Sequence, residues 1–510
     1  MLPARPARAV RAYSVRNTPR EGVAVTASLA ALLLPELRWD PDRGFSWLRG
    51  ALDDALELGV GGFVIRNGPR ADVATLVSEL QRDSRHPLLI GAVTDRGAGQ
   101  CFGGTTGLPP FGALGALRDE DVVRRAARLT ARELHAMGIN WALSPSADLA
   151  IDGPNPFVGT NAFGRGAQKV AEWAVAWIDM CQSQGVLACA KHLPGVGRAL
   201  VDPTLAAATV DASGAELWSD DLVPFRAAVD TGVATVLVSQ VSYPRLDASG
   251  VGAACSRVTL QEMMRSELQY EGLLVSDAPS QQTARAAGDE VAVAVASVAA
   301  GCDLILAPHD LTGVAEGLER ALDARTLNLD AVEASFARRA FWADWGRVGP
   351  QREATLEDVL WARKVSDTVV FAPRGVFANI GPVVDVILVD DDAEFVTRGE
   401  GERFEPFLAT LRAIGLGPRV VNGPTDEGRG AVVLAVRGEP AFGRGRAGYS
   451  SATRRRIAEV VAQARTARRS VVAVLFGPPT FAEEIPEVPN VICAWTGDRA
   501  MQEAAARRLG

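Results

Sequence analysis

The sequence reads VLACAKHLPGVG over residues 186–197 and GLLVSDAPS over residues 272–280. Each apolar run ends in charged residues that turn residues follow: Lys191 and His192 end the first run, and Asp277 ends the second. Such a run, about four to eight residues long and bounded by turn signals, is typical of a strand buried on both faces of a parallel sheet. Barrel enzymes carry their chemistry at the ends of such strands. We therefore treat these three side chains as site candidates.

Short apolar runs alternate with longer amphipathic stretches between about residues 21 and 345. This alternation predicts a parallel sheet with helical crossovers. Eight candidate strands lie at residues 23–33, 62–66, 88–95, 139–145, 186–194, 234–244, 272–279 and 302–308. Eight such units are what a TIM (β/α)8 barrel requires, whereas open doubly wound sheets usually have fewer strands. The sequence therefore predicts an α/β fold with a TIM barrel over residues 21–345.

The pattern is interrupted after the predicted barrel. Residues 346–370 contain Gly346 and Pro350 and then a polar helical stretch, so we expect a linker helix there. Apolar runs then alternate with helical patterns again, at residues 383–389, 431–436 and 470–476. This predicts a C-terminal α/β three-layer sandwich domain over residues 371–510. A chain of 510 residues is long enough to form two separate cores.

Charge and cysteine content restrict the class of function. The formal net charge of -8 provides no general attraction to nucleic acid or anionic lipid, so we expect a small neutral substrate and no membrane partner. The six cysteines lack paired short spacings, and no phosphate-binding loop is found, so we expect no metal and no cofactor. Residues 1–20 do not lead directly into a signal-like apolar segment, and the apolar stretch 23–34 is too short to span a bilayer. We expect a cytoplasmic protein with a loose tail over residues 1–20.

Together these motifs resemble those of the family 3 glycoside hydrolases, and in particular the bacterial β-N-acetylglucosaminidase branch. The resemblance extends over about residues 33–308, with local matches at LPPFGALGA from Leu108, GINWALSPSADL from Gly138 and AGCDLILAP from Ala300. It implies a TIM barrel followed by an α/β sandwich. It also implies a glycosidase that removes terminal β-linked sugars, namely N-acetylglucosamine from cell-wall fragments in peptidoglycan turnover.

The resemblance assigns roles to the side chains at the strand ends. It implies that Asp277 is the nucleophile, that Lys191 and His192 bind sugar hydroxyls, and that Asp95, which ends the run GAVTD, binds the outer hydroxyls. Asp148 also matches a family position, and we interpret it as structural support. From residue type alone each group has another interpretation, because a carboxylate at a strand end can cap a turn or neutralise a cation.

The chain differs from the branch at the acid/base residue and at residues that contact the substrate. Where the branch has Asp-Ser-His with the acid/base histidine, this chain has Asp202, Pro203 and Thr204. A threonine hydroxyl does not titrate near neutral pH, so Thr204 cannot replace an imidazole. Two substrate-contacting arginines of the branch are missing, one of them at Asn161, and Val196 stands where a histidine is usual.

Three interpretations stay open. In the first, an active glycosidase takes its acid from elsewhere, with Asp202 or the Glu483 and Glu484 carboxyls as candidates. In the second, a specialised enzyme acts on activated glycosides. In the third, a catalytically impaired or inactive descendant binds sugar or serves as a scaffold, since loss of acid/base help costs about 10²- to 10⁴-fold in rate without changing the fold. We favour the first, a retaining hydrolase of terminal β-linked sugars that forms a covalent intermediate on Asp277.

Overall fold

The computed structural model describes residues 28–151, 155–284, 288–346, 353–375, 380–393, 403–424 and 430–510. The chain forms two compact units. Unit 1 takes the described residues within 28–106, 120–151 and 164–354, and unit 2 takes those within 107–119, 155–163 and 355–510. Tail residues 1–20 and the start of the first candidate strand, residues 23–27, lie outside the described residues.

Unit 1 contains two main parallel sheets. Its strands are β1 (Leu33–Leu34), β2 (Glu36–Leu37), β3 (Gly62–Ile65), β4 (Gly68–Pro69), β5 (Leu89–Ala92), β6 (Phe102–Gly103), β7 (Trp141–Ala142), β8 (Cys189–Leu193), β9 (Thr235–Val238), β10 (Leu273–Ser276) and β11 (Leu304–Leu306). One sheet has the order β1-β11-β10-β9-β8, the other has the order β2-β3-β5-β7, and β4 pairs with β6. The prediction of a parallel α/β architecture is confirmed.

The helices of unit 1 follow the predicted alternation. They are Arg49–Leu58, Arg70–Asp83, Glu120–Ala136, Ala167–Ser183, Gly214–Glu216, Val223–Thr231, Glu290–Ala300, Leu311–Asp323 and Leu329–Trp345, with π-helical segments at Leu217–Asp221 and Val258–Glu267. Between the strands, large apolar side chains form a shared core that includes Val64, Trp141 and Val275. The Trp141 indole N–H donates to the Thr235 hydroxyl at 2.9 Å, so the polar atom of this buried side chain is satisfied.

The first candidate strand was partly wrong. Leu29–Leu32 form a 3₁₀-helix, and extended backbone begins only at Leu33. The Ser28 hydroxyl accepts a hydrogen bond from the Ala30 N–H at 3.2 Å and so caps this helix. All four residues of the helix are buried, and a short apolar run is compatible with either a buried strand or a buried helix.

Unit 2 is built on one sheet. Its strands are β12 (Phe371–Arg374), β13 (Val383–Asp390), β14 (Gly417–Val420), β15 (Val432–Arg437), β16 (Val471–Phe476) and β17 (Asn490–Cys493), in the order β12-β17-β16-β15-β13-β14. Only β12 among these described strands pairs antiparallel. The helices are Phe111–Ala116, Leu356–Val369, Glu405–Ala413, Ser451–Thr466 and Arg499–Leu509.

Both faces of this sheet are covered. Val433 of β15 belongs to one apolar cluster, whereas its neighbours Val432 and Leu434 belong to another. This alternation gives the sheet a core on each side, as expected for strands buried on both faces. The predicted linker helix is present as Leu356–Val369 and lies in unit 2, where the Thr355 hydroxyl and the Asp358 carboxylate form a capping box.

Two segments from the region predicted as the first domain, within residues 107–119 and 154–163, belong to unit 2. Ala113 is part of a unit 2 core cluster, and the Phe157 ring stacks on Phe442 with centroids 4.7 Å apart. These contacts join segments that are more than two hundred residues apart in sequence. No helix of the described residues is long and apolar enough to cross a membrane.

His86 gives unit 1 a pH-dependent stability. Its ring nitrogens lie 3.3 Å from the Gly59 carbonyl and 3.3 Å from the Arg339 guanidinium. Burial, and then the Arg339 charge, lower the pKa of His86 below its usual value. In the unfolded chain the histidine titrates near about 6.5, so the unfolded state takes up the proton first as the pH falls. At high pH His86 is neutral in both states and has no effect on the free energy of unfolding. As the pH falls, protonation of the unfolded chain lowers this free energy, so acid destabilises the fold.

We expect the free energy of unfolding to fall between about pH 7.5 and 5.5, with a slope from His86 of at most about 1.4 kcal/mol per pH unit. His86→Gln keeps a polar side chain and removes the titration, so this slope becomes shallower. Urea unfolding followed by circular dichroism at several pH values measures it. The exposed His309 supplies the control variant His309→Gln. Equal slopes in the wild type and His86→Gln would contradict the assignment.

Candidate functional site

The predicted site residues of unit 1 follow strands that run in the same direction. Ser276 of β10 and Leu193 of β8 both pair with Val238 of β9. The Asp277 N–H donates to the Val238 carbonyl at 2.9 Å, which fixes the residue directly beyond β10. The Lys191–His192 pair therefore lies on the strand two positions away, and its side chains and Asp277 occupy the carboxyl edge of one sheet.

Lys191 and Asp95 form a buried ion pair. The Lys191 Nζ lies 2.8 Å from Asp95 Oδ2 and also donates to the Leu143 carbonyl at 2.6 Å. The two residues are 4% and 5% exposed. The second carboxylate oxygen, Asp95 Oδ1, is buried and finds no hydrogen-bond partner among the described residues. A buried acceptor of this kind costs free energy unless a donor is supplied, and a ligand hydroxyl can supply it.

Asp148 holds the turn that carries His192. Its Oδ2 lies 2.8 Å from His192 Nδ1, and its Oδ1 accepts from the Val196 N–H at 2.9 Å. The Ser146 hydroxyl donates to the same carboxylate at 3.1 Å. A carboxylate accepts hydrogen bonds, so His192 Nδ1 carries a proton and donates it to Asp148. This arrangement fixes the orientation of His192.

The turn after β8 is packed from a second side. The Tyr243 hydroxyl donates to the Gly195 carbonyl at 2.9 Å, and Arg198 Nε donates to Asp221 Oδ2 at 2.7 Å. Burial raises the pKa of Asp221, and Arg198 opposes that shift. Gly195 has φ +119°, and a Cβ there would lie 3.0 Å from the Asp221 Cβ. The turn therefore requires glycine at this position.

Two N–H groups hold the Asp277 carboxylate. Its Oδ1 accepts from the Ala278 N–H at 2.8 Å, and its Oδ2 accepts from Gln281 Nε2 at 2.8 Å. The Gln240 amide donates to the Asp277 backbone carbonyl at 2.9 Å. Sequence reasoning missed both glutamines. For Gln281, nothing in the run SDAPSQQT distinguishes a residue that contacts the carboxylate from an exposed one. A half-buried carboxylate held in this way can serve as a nucleophile or as a ligand to a sugar.

Asp202, the candidate in the acid/base loop, caps its own turn. Its Oδ1 accepts from the Thr204 N–H at 2.9 Å and from the Thr204 hydroxyl at 2.6 Å. Thr283 joins this loop to the segment after Asp277: its N–H donates to the Pro203 carbonyl at 3.0 Å, and its hydroxyl accepts from the Ala208 N–H at 2.9 Å. The loop that lacks the histidine is thus bonded to the loop that follows Asp277.

The other candidates for an acid lie in unit 2. Glu484 Oε2 accepts from the Tyr449 N–H and from Arg454 Nη1, each at 3.0 Å. Glu483 belongs to the same 3₁₀-helix, Pro479–Glu484. Asn161, which stands where the branch has an arginine, is also in unit 2 and donates its N–H to the Val158 carbonyl at 2.9 Å.

Comparison with known proteins gives a consistent result. The model of the glycosyl hydrolase family 3 N terminal domain matches residues 53–340. A β-N-acetylglucosaminidase/β-glucosidase of Cellulomonas fimi is 33% identical over 298 residues, which is 54% of this chain and 53% of that protein. A β-hexosaminidase of Idiomarina loihiensis is 32% identical over 254 residues, 49% of this chain and 76% of that protein. The chain therefore spans about half the length of the first relative and three quarters of the second.

The fold has a match among solved structures. The structure of a glycoside hydrolase family 3 β-N-acetylglucosaminidase from Paenibacillus sp. aligns with a TM-score of 0.81. The alignment covers 96% of each chain at 23% sequence identity. The whole chain therefore shares the fold of that protein.

The Lys191–Asp95 pair can be tested by a double-mutant cycle. We expect Lys191→Met to lower the free energy of unfolding by about 3–5 kcal/mol, because it leaves a buried carboxylate uncompensated. Asp95→Leu with Lys191→Met removes both charges, and we expect it to recover most of that loss. Urea unfolding of the wild type, both single variants and the double variant measures the coupling. A Lys191→Met protein as stable as the wild type would contradict a buried, unsolvated pair.

Proposed function

The chain belongs to glycoside hydrolase family 3, and on that premise we propose that it is a retaining β-N-acetylhexosaminidase. Its proposed substrate is a terminal β-linked N-acetylglucosamine on cell-wall-type glycans. The observation that carries the proposal is the buried Asp95–Lys191 pair, whose Asp95 Oδ1 lacks a partner within the described part of the chain and provides an acceptor for a sugar hydroxyl. The relatives named β-hexosaminidase or β-N-acetylglucosaminidase support the choice of sugar.

We infer that the two main sheets of unit 1 close into one eight-stranded barrel, with β1 and β2 as a single strand around Pro35. The N–H groups of Gly61, Val64 and Arg66 donate to the carbonyls of Leu33, Pro35 and Leu37, so β3 lies along both segments. On the other side, the Ala142 N–H donates to the Leu187 carbonyl at 2.8 Å, which supports pairing of β7 with the strand leading into β8.

Such a barrel brings the site residues to one face. With β1 and β2 as the first strand, Asp95 follows the third strand, Lys191 and His192 end the fifth, and Asp277 follows the seventh. The carboxyl ends of barrel strands converge on one opening, where catalytic groups of different strands meet. In this arrangement Asp95, Lys191 and His192 bind the sugar while Asp277 approaches its anomeric carbon.

In the proposed reaction, Asp277 attacks C1 of the sugar. The bond from C1 to the carboxylate oxygen forms as the bond from C1 to the leaving oxygen breaks, which gives a covalent glycosyl-enzyme. Water then attacks C1 as the bond from C1 to the Asp277 oxygen breaks. The proton of this water passes to solvent, and the sugar is released with its original configuration. The Ala278 N–H, which donates to Asp277 Oδ1, stabilises the carboxylate when it leaves again.

The site lacks an evident group to protonate the leaving oxygen, because Thr204 stands where the branch has its acid/base histidine. One observation favours an activity specialised for activated glycosides. The Asp202 carboxylate, our candidate for the acid, already accepts two hydrogen bonds from Thr204. These bonds engage Asp202 Oδ1 in holding its own turn, so the carboxylate already has a structural role in this loop. We infer that the enzyme acts fastest on glycosides whose leaving group needs little protonation.

The cysteines support a reducing compartment. None of the six, all of which lie in the described residues, forms a disulfide, and burial raises the pKa of the Cys181 thiol to about 12, so this side chain stays a protonated, unreactive thiol. Unpaired thiols are usual where glutathione and thioredoxin keep them reduced. We therefore place the enzyme in the cytoplasm, acting on cell-wall fragments.

The test of the nucleophile uses two aryl β-N-acetylglucosaminides, one with a good leaving group and one with a poor one. We expect the wild type to turn over the activated substrate faster by about 10²-fold or more, because acid help is weak. Asp277→Ala should lose about 10³-fold or more on the activated substrate. Azide should restore turnover of that variant by entering the vacated space, and should give the α-glycosyl azide.

The exposed Asp230 supplies the matched control, Asp230→Ala, which should behave as the wild type. Nuclear magnetic resonance of the first-formed sugar distinguishes retention from inversion. An Asp277→Ala protein that keeps its activity, or a wild-type product of inverted configuration, would reject Asp277 as the nucleophile.

A further inference from the structure

We propose that Gln281 recognises the substituent on C2 of the sugar. Its Oε1 accepts a hydrogen bond from the acetamido N–H or from the hydroxyl that C2 carries. The inference rests on the proposed function, because it requires Asp277 to attack C1. Gln281 lies four residues after Asp277, and its side chain contacts the attacking carboxylate directly.

The amide orientation of Gln281 follows from its partner. Nε2 lies 2.8 Å from Asp277 Oδ2. An ionised carboxylate offers only acceptor atoms, so the NH₂ group of the amide must face it. The carbonyl oxygen, Oε1, consequently points away from the carboxylate. It is buried and has no hydrogen-bond partner among the described residues.

The backbone around Gln281 is itself held. The Gln281 N–H donates to the Ala278 carbonyl at 3.2 Å, and its own carbonyl accepts from the Ala284 N–H at 3.0 Å. Thr283, two residues on, is bonded to Pro203 and Ala208. A side chain anchored in this way is preorganised, so little conformational entropy is lost when it binds a ligand group.

The chemistry of the anomeric centre identifies the donor. Within the ring, C1 is bonded to the ring oxygen and to C2. The ring oxygen has no hydrogen, so of these two neighbours only the C2 substituent can donate. In the proposed complex, Oε1, which shares an amide group with the Nε2 that holds Asp277, lies beside the C2 substituent of the sugar. Hydrogen bonds at this substituent strengthen in the transition state of retaining enzymes, so the contact acts on the rate.

A set of three aryl β-glycosides tests the proposal: the 2-acetamido-2-deoxyglucoside, the glucoside and the 2-deoxyglucoside. Gln281→Met keeps the length of the side chain and removes both its donor and its acceptor. We expect kcat/KM for the first two substrates to fall about 10- to 100-fold more than for the 2-deoxy substrate, which lacks a donor at C2. The exposed neighbour gives the matched control, Gln282→Met, expected to behave as the wild type.

The variant Gln281→Glu separates recognition of the C2 substituent from the hydrogen bond that Gln281 donates to Asp277. It keeps an acceptor oxygen and loses the N–H group that donates to Asp277 Oδ2, so overall activity falls on all three substrates. The preference for a C2 donor should nevertheless survive in Gln281→Glu and vanish in Gln281→Met. This readout remains if one of the two variants fails to fold.

Each outcome decides between the proposals. An equal loss on all three substrates in Gln281→Met, with the C2 preference unchanged, means that Gln281 only holds the nucleophile and overturns the inference while leaving the proposed function intact. A Gln281→Glu protein that loses the C2 preference also overturns it. A wild type that turns over none of the three substrates overturns the proposed function and this inference with it.

Discussion

The buried pair between Lys191 and Asp95 is the interaction on which the candidate site depends. Removing two charges from water is costly, and the cost is offset only when geometry and further hydrogen bonds are good. The Leu143 carbonyl gives the ammonium a second acceptor. Asp95 Oδ1 has no partner among the residues that the structure describes, so it can accept from an external donor. The parallel strands fix these groups on three different segments of chain, so the pair also joins the ends of strands that are distant in sequence.

The sequence predicted most of the strands of unit 1, because each is a fully buried apolar run followed by a polar group or a turn. The strand ends also pointed to Asp95, Lys191, His192 and Asp277, since charged residues at such positions interrupt the apolar pattern. The local apolar pattern could not predict the structure of Leu29–Leu32, because it is compatible with a buried strand and with the helix that these residues form. The local pattern also could not assign residues 107–119 and 154–163 to unit 2, because that assignment depends on contacts with distant segments.

Gln281 illustrates a further limit of sequence reasoning. Its neighbour Gln282 has the same residue type and the same local surroundings in sequence, yet it is exposed while Gln281 contacts Asp277. The path of the loop decides which of the two glutamines faces the carboxylate. Hydrogen bonds from Thr283 to Pro203 and Ala208 hold this loop in place. The absence of the acid/base histidine could be read directly from the sequence, whereas the hydrogen bonds that occupy Asp202 required the structure.

The two hydrogen bonds of Thr283 couple residues 202–208 to the segment that follows Asp277. A movement of either segment away from the other breaks these bonds, each of which contributes about 1 kcal/mol. A histidine introduced at position 204 would therefore lie on a loop whose movement is restrained by the segment that carries the nucleophile. Restoring a mobile proton donor to this scaffold would mean freeing the loop at Thr283 as well as exchanging the side chain.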